Sequence, residues 1–186
     1  MGTYTDKTSK SISKIKAERV GKKDDGYSES GKEPTDDIIR DGSHLENGKL
    51  KPNIKYQSGE HEYIYETNED GLIVRASTRN LQLKTHTGRL EHDPNTYDKA
   101  EDDHAGHLFG DRFGGSPELD NLVSQARRVN LSEFKVIENI WARELKKEGT
   151  VITVDIAISY GETRRPTGFN VMYTINDVLF IKPIIN

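Results

Sequence analysis

The sequence contains no cysteine. Disulfides, thiolate nucleophiles and cysteine-ligated metals are therefore excluded, and the fold must hold without covalent staples. It also contains no apolar run long enough to span a bilayer. The N-terminus, Met1-Gly2-Thr3-Tyr4-Thr5-Asp6, lacks the apolar centre of a signal peptide, and Asp6 stands where a myristoylation signal needs Ser or Thr. Hydrophobic residues are scarce, at 32% against 31% charged, and the mean hydropathy is −0.80. Part of the chain is therefore not expected to pack. An excess of positive charge is missing too: the net charge is −4 and the pI near 5.9. That disfavours a protein that grips nucleic acid through bulk charge, but leaves room for a local basic site.

What remains fits one domain of ordinary size preceded by a tail. Residues 1–47 are Lys, Ser, Asp, Glu and Gly with scattered Ile and Val. They sustain no helical or strand period and read as a polar linker or disordered arm. Residues 48–186 read as the ordered domain. Within it, 62–67 and 72–77 are rich in strand formers and flank the turn signal Asn68-Glu69-Asp70-Gly71, which predicts a β-hairpin. Residues 80–83 are read as a possible extension of it. Ile152, Val154, Ile156, Ile158 and Tyr160 alternate, as do Phe169, Val171, Tyr173 and Ile175; the turn Asn176-Asp177 then leads to a third strand, 178–181. Between hairpin and meander, Phe134, Ile137, Trp141 and Leu145 recur at the helical period, with Asn130 and Glu133 spaced as a capping box. The expected class is α+β.

The chemistry concentrates between Asp102 and Lys147. Asp103-His104-Ala105-Gly106-His107-Leu108 sets two histidines beside a glycine, and a Gly-rich turn, Gly110 to Gly115, follows. A single-metal nuclease needs a base for the attacking water, a holder for the metal, and a cation to offset charge on the phosphorane. His107 can be the base, because an imidazole titrates near neutrality. Asn130 and Glu138 can hold a cation, one directly and one through water, which suits Mg²⁺. Arg127, Arg128 or Arg143 can offset charge. The segment from Asn121 to Lys147 is net basic inside an acidic chain, and Arg164-Arg165 adds a second cluster. Each residue also has a plainer reading: Asn130 as a helix cap, Glu138 as a solvated charge, Arg127-Arg128 as exposed surface. His104 and His107 have the spacing of half a zinc site, without cysteine or a second pair to complete it. Asn121 is read as ordering the loop rather than binding metal.

On these residues the chain resembles the DNA/RNA non-specific endonucleases of the His-Me finger (ββα-metal) class. The motifs are Asp-His-Ala-Gly-His-Leu, Phe-Gly-Gly, Asp-Asn-Leu-Val, then an Asn and a Glu eight residues further on. The likeness runs from Gly48 to Ile175 and is strongest to domains at the C-termini of bacterial polymorphic toxins, LXG toxins of type VII secretion included. It implies a His-Me finger core, with His107 as general base, Asn130 on the metal and Glu138 holding metal-bound water. It implies Mg²⁺ or another divalent cation, and hydrolysis of DNA or RNA that leaves a 5′-phosphate. It also implies a cognate immunity protein, export by a non-classical bacterial route, and action in a target cell's cytoplasm. The chain departs from the family's Asp-Arg-Gly-His signature: His104-Ala105 stand where Asp-Arg is usual. The phosphate-contacting cation must then come from Arg127, Arg128 or Arg112, with Arg143, Arg164 and Arg165 as further substrate contacts. Two rivals remain at this level: a nucleic-acid-binding module without turnover, and an immunity or adaptor domain with an acidic face.

Overall fold

A computed structural model describes residues 37–186. Its frame is a seven-stranded sheet built on the two regions of period-two patterning. Lys55–Ser58 (β4), Tyr63–Thr67 (β5) and Ile73–Thr78 (β6) run antiparallel. The β5–β6 turn closes as expected: Asn68 Oδ1 accepts from the N–H groups of Asp70 and Leu72, and Gly71 takes φ +70°. Ile152–Tyr160 (β9) joins β6 directly, followed by Pro166–Ile175 (β10) and Val178–Ile185 (β11). Asn176 and Asp177 turn the chain into β11 with φ of 48° and 68°, the two left-handed residues a tight hairpin needs. Among the described residues the sheet order is β1-β4-β5-β6-β9-β10-β11, where β1 is Ile38–Ile39, parallel to β4.

Everything between β6 and β9, which are neighbours in the sheet, is one long excursion over a single sheet face. It carries a second hairpin, Asp103–His107 (β7) paired with Leu122–Ala126 (β8), and then a helix. The helix opens with a π-helical turn over Val129–Phe134 and continues as α1, Lys135–Glu144. Its apolar face is the expected one: Phe134, Ile137 and Trp141 are buried, with Leu145 half-buried beside them. Trp141 meets Phe113 and Tyr173 edge-on at 5.8 and 5.5 Å, and Phe134 meets Phe169 at 5.2 Å. Burying a side chain of this size contributes about 2–3 kcal/mol. That fixes the helix, and whatever it carries on its other face, against the sheet.

Four expectations are corrected. The arm does not reach residue 47: β1 joins the sheet, Leu45–Glu46 (β2) pairs with Lys49–Leu50 (β3), and His44 is buried against Asp120. Residues 1–36 lie outside the described residues. The third strand of the meander is longer than 178–181 and is an edge, and Val178, Leu179, Phe180 and Ile181 are exposed. Asn130 does not cap the helix, because Arg128 already has helical φ and ψ of −61° and −42°. Glu133 bonds Arg128 and Lys182 instead of closing a capping box. Residues 80–83 do not continue β6, although buried Leu81 donates to Ile152 O at 2.8 Å.

Candidate active site

His107 is the last residue of β7, so it stands on a strand and not in a flexible loop. Gly106 precedes it for a steric reason: a Cβ there would lie 2.2 Å from the side chain of Gln125 on β8. Gln125 is fully buried and its Nε2 donates to His107 O at 3.3 Å. Immediately beyond, Leu108 N donates to Asn121 O at 3.0 Å. Asn121 is wholly buried; its Oδ1 accepts from Phe109 N and Tyr65 Oη, and its Nδ2 donates to the carbonyls of Phe109 and Ser116. That is the loop-ordering role its position in the sequence suggests. Two more sheet tyrosines reach the same loop: Tyr63 Oη donates to Phe113 O, and Tyr56 Oη to Asp120 O, each at 2.7 Å. The strand end bearing His107 is thus tied to the sheet by hydrogen bonds with no slack.

One open cleft runs across this strand end and the start of the helix. One half is lined by His107, Asn130, Glu138, Arg112, Lys135 and Arg89. The other half shares Arg89, His107 and Asn130, and adds His92, Lys99 and His104. The three residues singled out in the sequence therefore line one cleft. Asn130 sits in the π-helical turn, whose winding is wider than that of an α-helix.

Burial sets the charge states. It lowers the His107 pKa to about 4, assisted by His92, whose ring lies 5.1 Å away, and by Arg89. His107 is accordingly neutral at pH 7, with a lone pair able to take a proton, and an arriving phosphodiester raises its basicity again. Burial pushes Glu138 up to about 7, only partly opposed by Arg112 and the Gly110 N–H. A Cβ on Gly110 would fall 2.3 Å from Glu138 Oε1, so the glycine lets the carboxylate in. Glu138 is a half-buried carboxylate that lines the same cleft as the Asn130 amide, and the two are hard oxygen donors that fit a divalent cation. Among the described residues no cluster of three His, Cys, Asp or Glu is arranged to hold a metal by itself. A cation here would keep several waters.

The arginines sort by partner. Arg112 lines the cleft and donates to Asn139 Oδ1 at 2.7 Å. Arg127 and Arg128 are exposed outside the cleft lining, and Arg128 is engaged with Glu133 and Ile185 O. Arg143 pairs with Glu144. Arg164 holds Asp98 and stacks over Tyr97, while Arg165 grips Asp103 through two bonds of 2.6 and 2.8 Å. Arg127, Arg128, Arg143, Arg164 and Arg165, expected at the substrate, thus do not line the cleft, and four of them are in ion pairs, Arg165 with the cleft-lining Asp103. Sequence reasoning missed Arg89. Its neighbours pin it: Lys84 Nζ donates to Gly88 O, and Leu90 N donates to Asp111 Oδ1 at 3.1 Å. Asp111, against its burial, is held down to about 2 by Lys84, Leu90 N and His86. The one legible signal was Gly88 before Arg89, a turn in an otherwise polar loop.

A β-hairpin with its histidine at a strand end, followed by a helix that brings an amide and a carboxylate into one cleft, has the layout of a ββα nuclease. The chain belongs to the DNA/RNA non-specific endonuclease family, whose model matches residues 52–177. These enzymes are phosphodiester hydrolases. The chain is 36% identical over 148 residues to the type VII secretion system protein EssD of Staphylococcus aureus strain USA300, and equally to that of strain NCTC 8325. The match takes in 74% of this chain and 24% of each relative, so the chain spans about a quarter of their length. It is also similar to the crystal structure of NucA from Streptococcus agalactiae with no metal bound, at a TM-score of 0.47 and 13% identity over 64% of this chain and 67% of that one.

Proposed function

We propose that residues 48–186, with the strands from Ile38 onward, form a Mg²⁺-dependent endonuclease that cleaves DNA, with RNA as a further substrate, irrespective of sequence. The domain would be the toxic end of a larger bacterial effector exported by type VII secretion. It would act in the cytoplasm of a target cell and be restrained in the producer by an immunity protein. The observation that carries the catalytic reading is that neutral His107, Asn130 and half-buried Glu138 line one cleft. The likeness to EssD supports the secretion reading.

In this mechanism His107 removes a proton from the water that attacks phosphorus, the P–O3′ bond breaks, and the products are a 5′-phosphate and a 3′-hydroxyl. Asn130 and Glu138 would hold the cation, which would supply positive charge to offset that on the departing oxygen. Arg89 and Arg112 line the cleft with His107, and they are the cations that would meet the phosphate, in place of the arginine missing at position 105.

Plasmid nicking with Mg²⁺, with and without EDTA, tests the reading. Cleavage abolished by chelation is expected. Retention of DNA without turnover, whether or not chelator is present, would establish a binding module instead. Arg89→Gln supplies a second test. Removing its charge raises the His107 pKa, so the acid limb of the pH–rate profile should move to higher pH. kcat/KM should fall roughly tenfold or more, and the dependence of binding on salt should flatten by about one counterion. An unshifted limb would remove Arg89 from the neighbourhood of the base.

A further inference from the structure

Asn130 has two ends of nearly the same shape and opposite chemistry. Only Oδ1 can ligate a cation; the Nδ2 hydrogens would repel one. Being inside the helix rather than at its cap, the side chain has no backbone N–H to orient it. One contact distinguishes its ends. Nδ2 lies 2.9 Å from His104 Nδ1, and since an amide nitrogen only donates, the imidazole nitrogen accepts. Oδ1 makes no hydrogen bond within the described residues, and Asn130 lines both halves of the cleft. His104 itself is fixed by the β7–β8 ladder, opposite Gln125.

We propose that His104 is a positioning residue that fixes the amide of Asn130 with its oxygen available to the cation. The inference rests on Asn130 being a metal-holding residue, as set out above. It accounts for the departure at position 104, where the family signature has Asp. Aspartate and a neutral imidazole differ in charge and shape, but both offer a lone pair to an amide N–H. The substitution keeps the acceptor and discards the charge. Loss of a group that orients a metal-bound side chain commonly weakens metal affinity ten- to a hundred-fold.

The test titrates Mn²⁺ into the metal-free 186-residue chain by calorimetry. His104→Leu, which keeps bulk and removes the acceptor, should weaken affinity by about tenfold or more. His104→Asn, which restores an acceptor near the Nδ1 position, should stay within about threefold of wild type. Equal affinity for the Leu variant and wild type overturns the proposal. So does a folded Asn variant that loses as much as the Leu variant. A readout independent of any variant is the ¹⁵N–¹⁵N coupling through the hydrogen bond between Asn130 Nδ2 and His104 Nδ1 in the wild type. It should be observable, and its absence in a well-resolved spectrum overturns the proposal even if His104→Leu fails to fold. Asn130→Ala separates the two levels: unchanged Mn²⁺ affinity there would refute the metal role of Asn130, whereas loss there without loss in His104→Leu would refute only the role of His104.

Discussion

His107→Ala is expected to reduce plasmid cleavage by about a thousandfold or more while the domain stays folded. A positioned general base contributes about 10²–10⁴-fold, and His107 is the imidazole that shares the half of the cleft with Asn130 and Glu138. His92 is its ring neighbour, in the loop before β7, and His104 Nδ1 is engaged with Asn130. The fold should tolerate the change because the backbone, not the ring, sets the register. His107 pairs with Leu122 in the β7–β8 ladder, and its carbonyl takes the bond from Gln125. Both survive truncation. Circular dichroism and thermal melting of the purified variant check folding, and a quantitative plasmid assay checks the rate. A folded variant with near-wild-type cleavage would require a different base and would break the link between the cleft and the chemistry.

The elements readable in the sequence were those whose signal is local. The β5–β6 hairpin had a turn with its own side-chain chemistry at Asn68, β9 and β10 had clean alternation, and α1 had one unbroken apolar stripe. His107, Asn130 and Glu138 were legible because their residue types and spacing match a known motif; the π-helical turn that carries Asn130 was not. The rest was set by partners far away in the chain. Arg165 looked like a free phosphate contact until Asp103 was found 62 positions away to hold it. Arg164 is likewise committed to Asp98. Tyr63 and Tyr65 read as ordinary strand residues and Tyr56 lay outside any expected strand, yet their hydroxyls anchor the loop behind the site. The strand at Ile38–Ile39 is too short to carry a pattern, and only its pairing with β4 defines it. Arg89 sits in a loop without periodicity, and its place at the cleft depends on Lys84 and Asp111.

Glu138→Gln should move stability and function in opposite directions. Glu138 has a folded pKa of about 7 against an ordinary 4.5, so the native state binds its proton more tightly than the unfolded state does. Stability from this group is fully present below about pH 4.5 and is lost as pH rises through 7. Glutamine keeps the shape without the charge, so the metal-free variant should be more stable than wild type above pH 7, by about 1–3 kcal/mol. His107 has the opposite slope: its pKa falls from 6.5 to about 4, so its stability is present above 6.5 and lost as pH falls through 4. The two nearly cancel between pH 4.5 and 6.5 in the wild type. Each variant should uncover the other group. Stability of Glu138→Gln should rise with pH across that window, and that of His107→Ala should fall. Mg²⁺ supplies the countercharge Glu138 lacks, so it should raise the wild-type melting temperature at pH 7.5 and leave Glu138→Gln nearly unchanged, with cleavage down about a hundredfold or more. Chemical denaturation across pH, with and without Mg²⁺, reads all of this. A Glu138→Gln variant that is less stable than wild type in EDTA at pH 8 would mean the carboxylate is already compensated in the fold, and the case for a cation beside it would be lost.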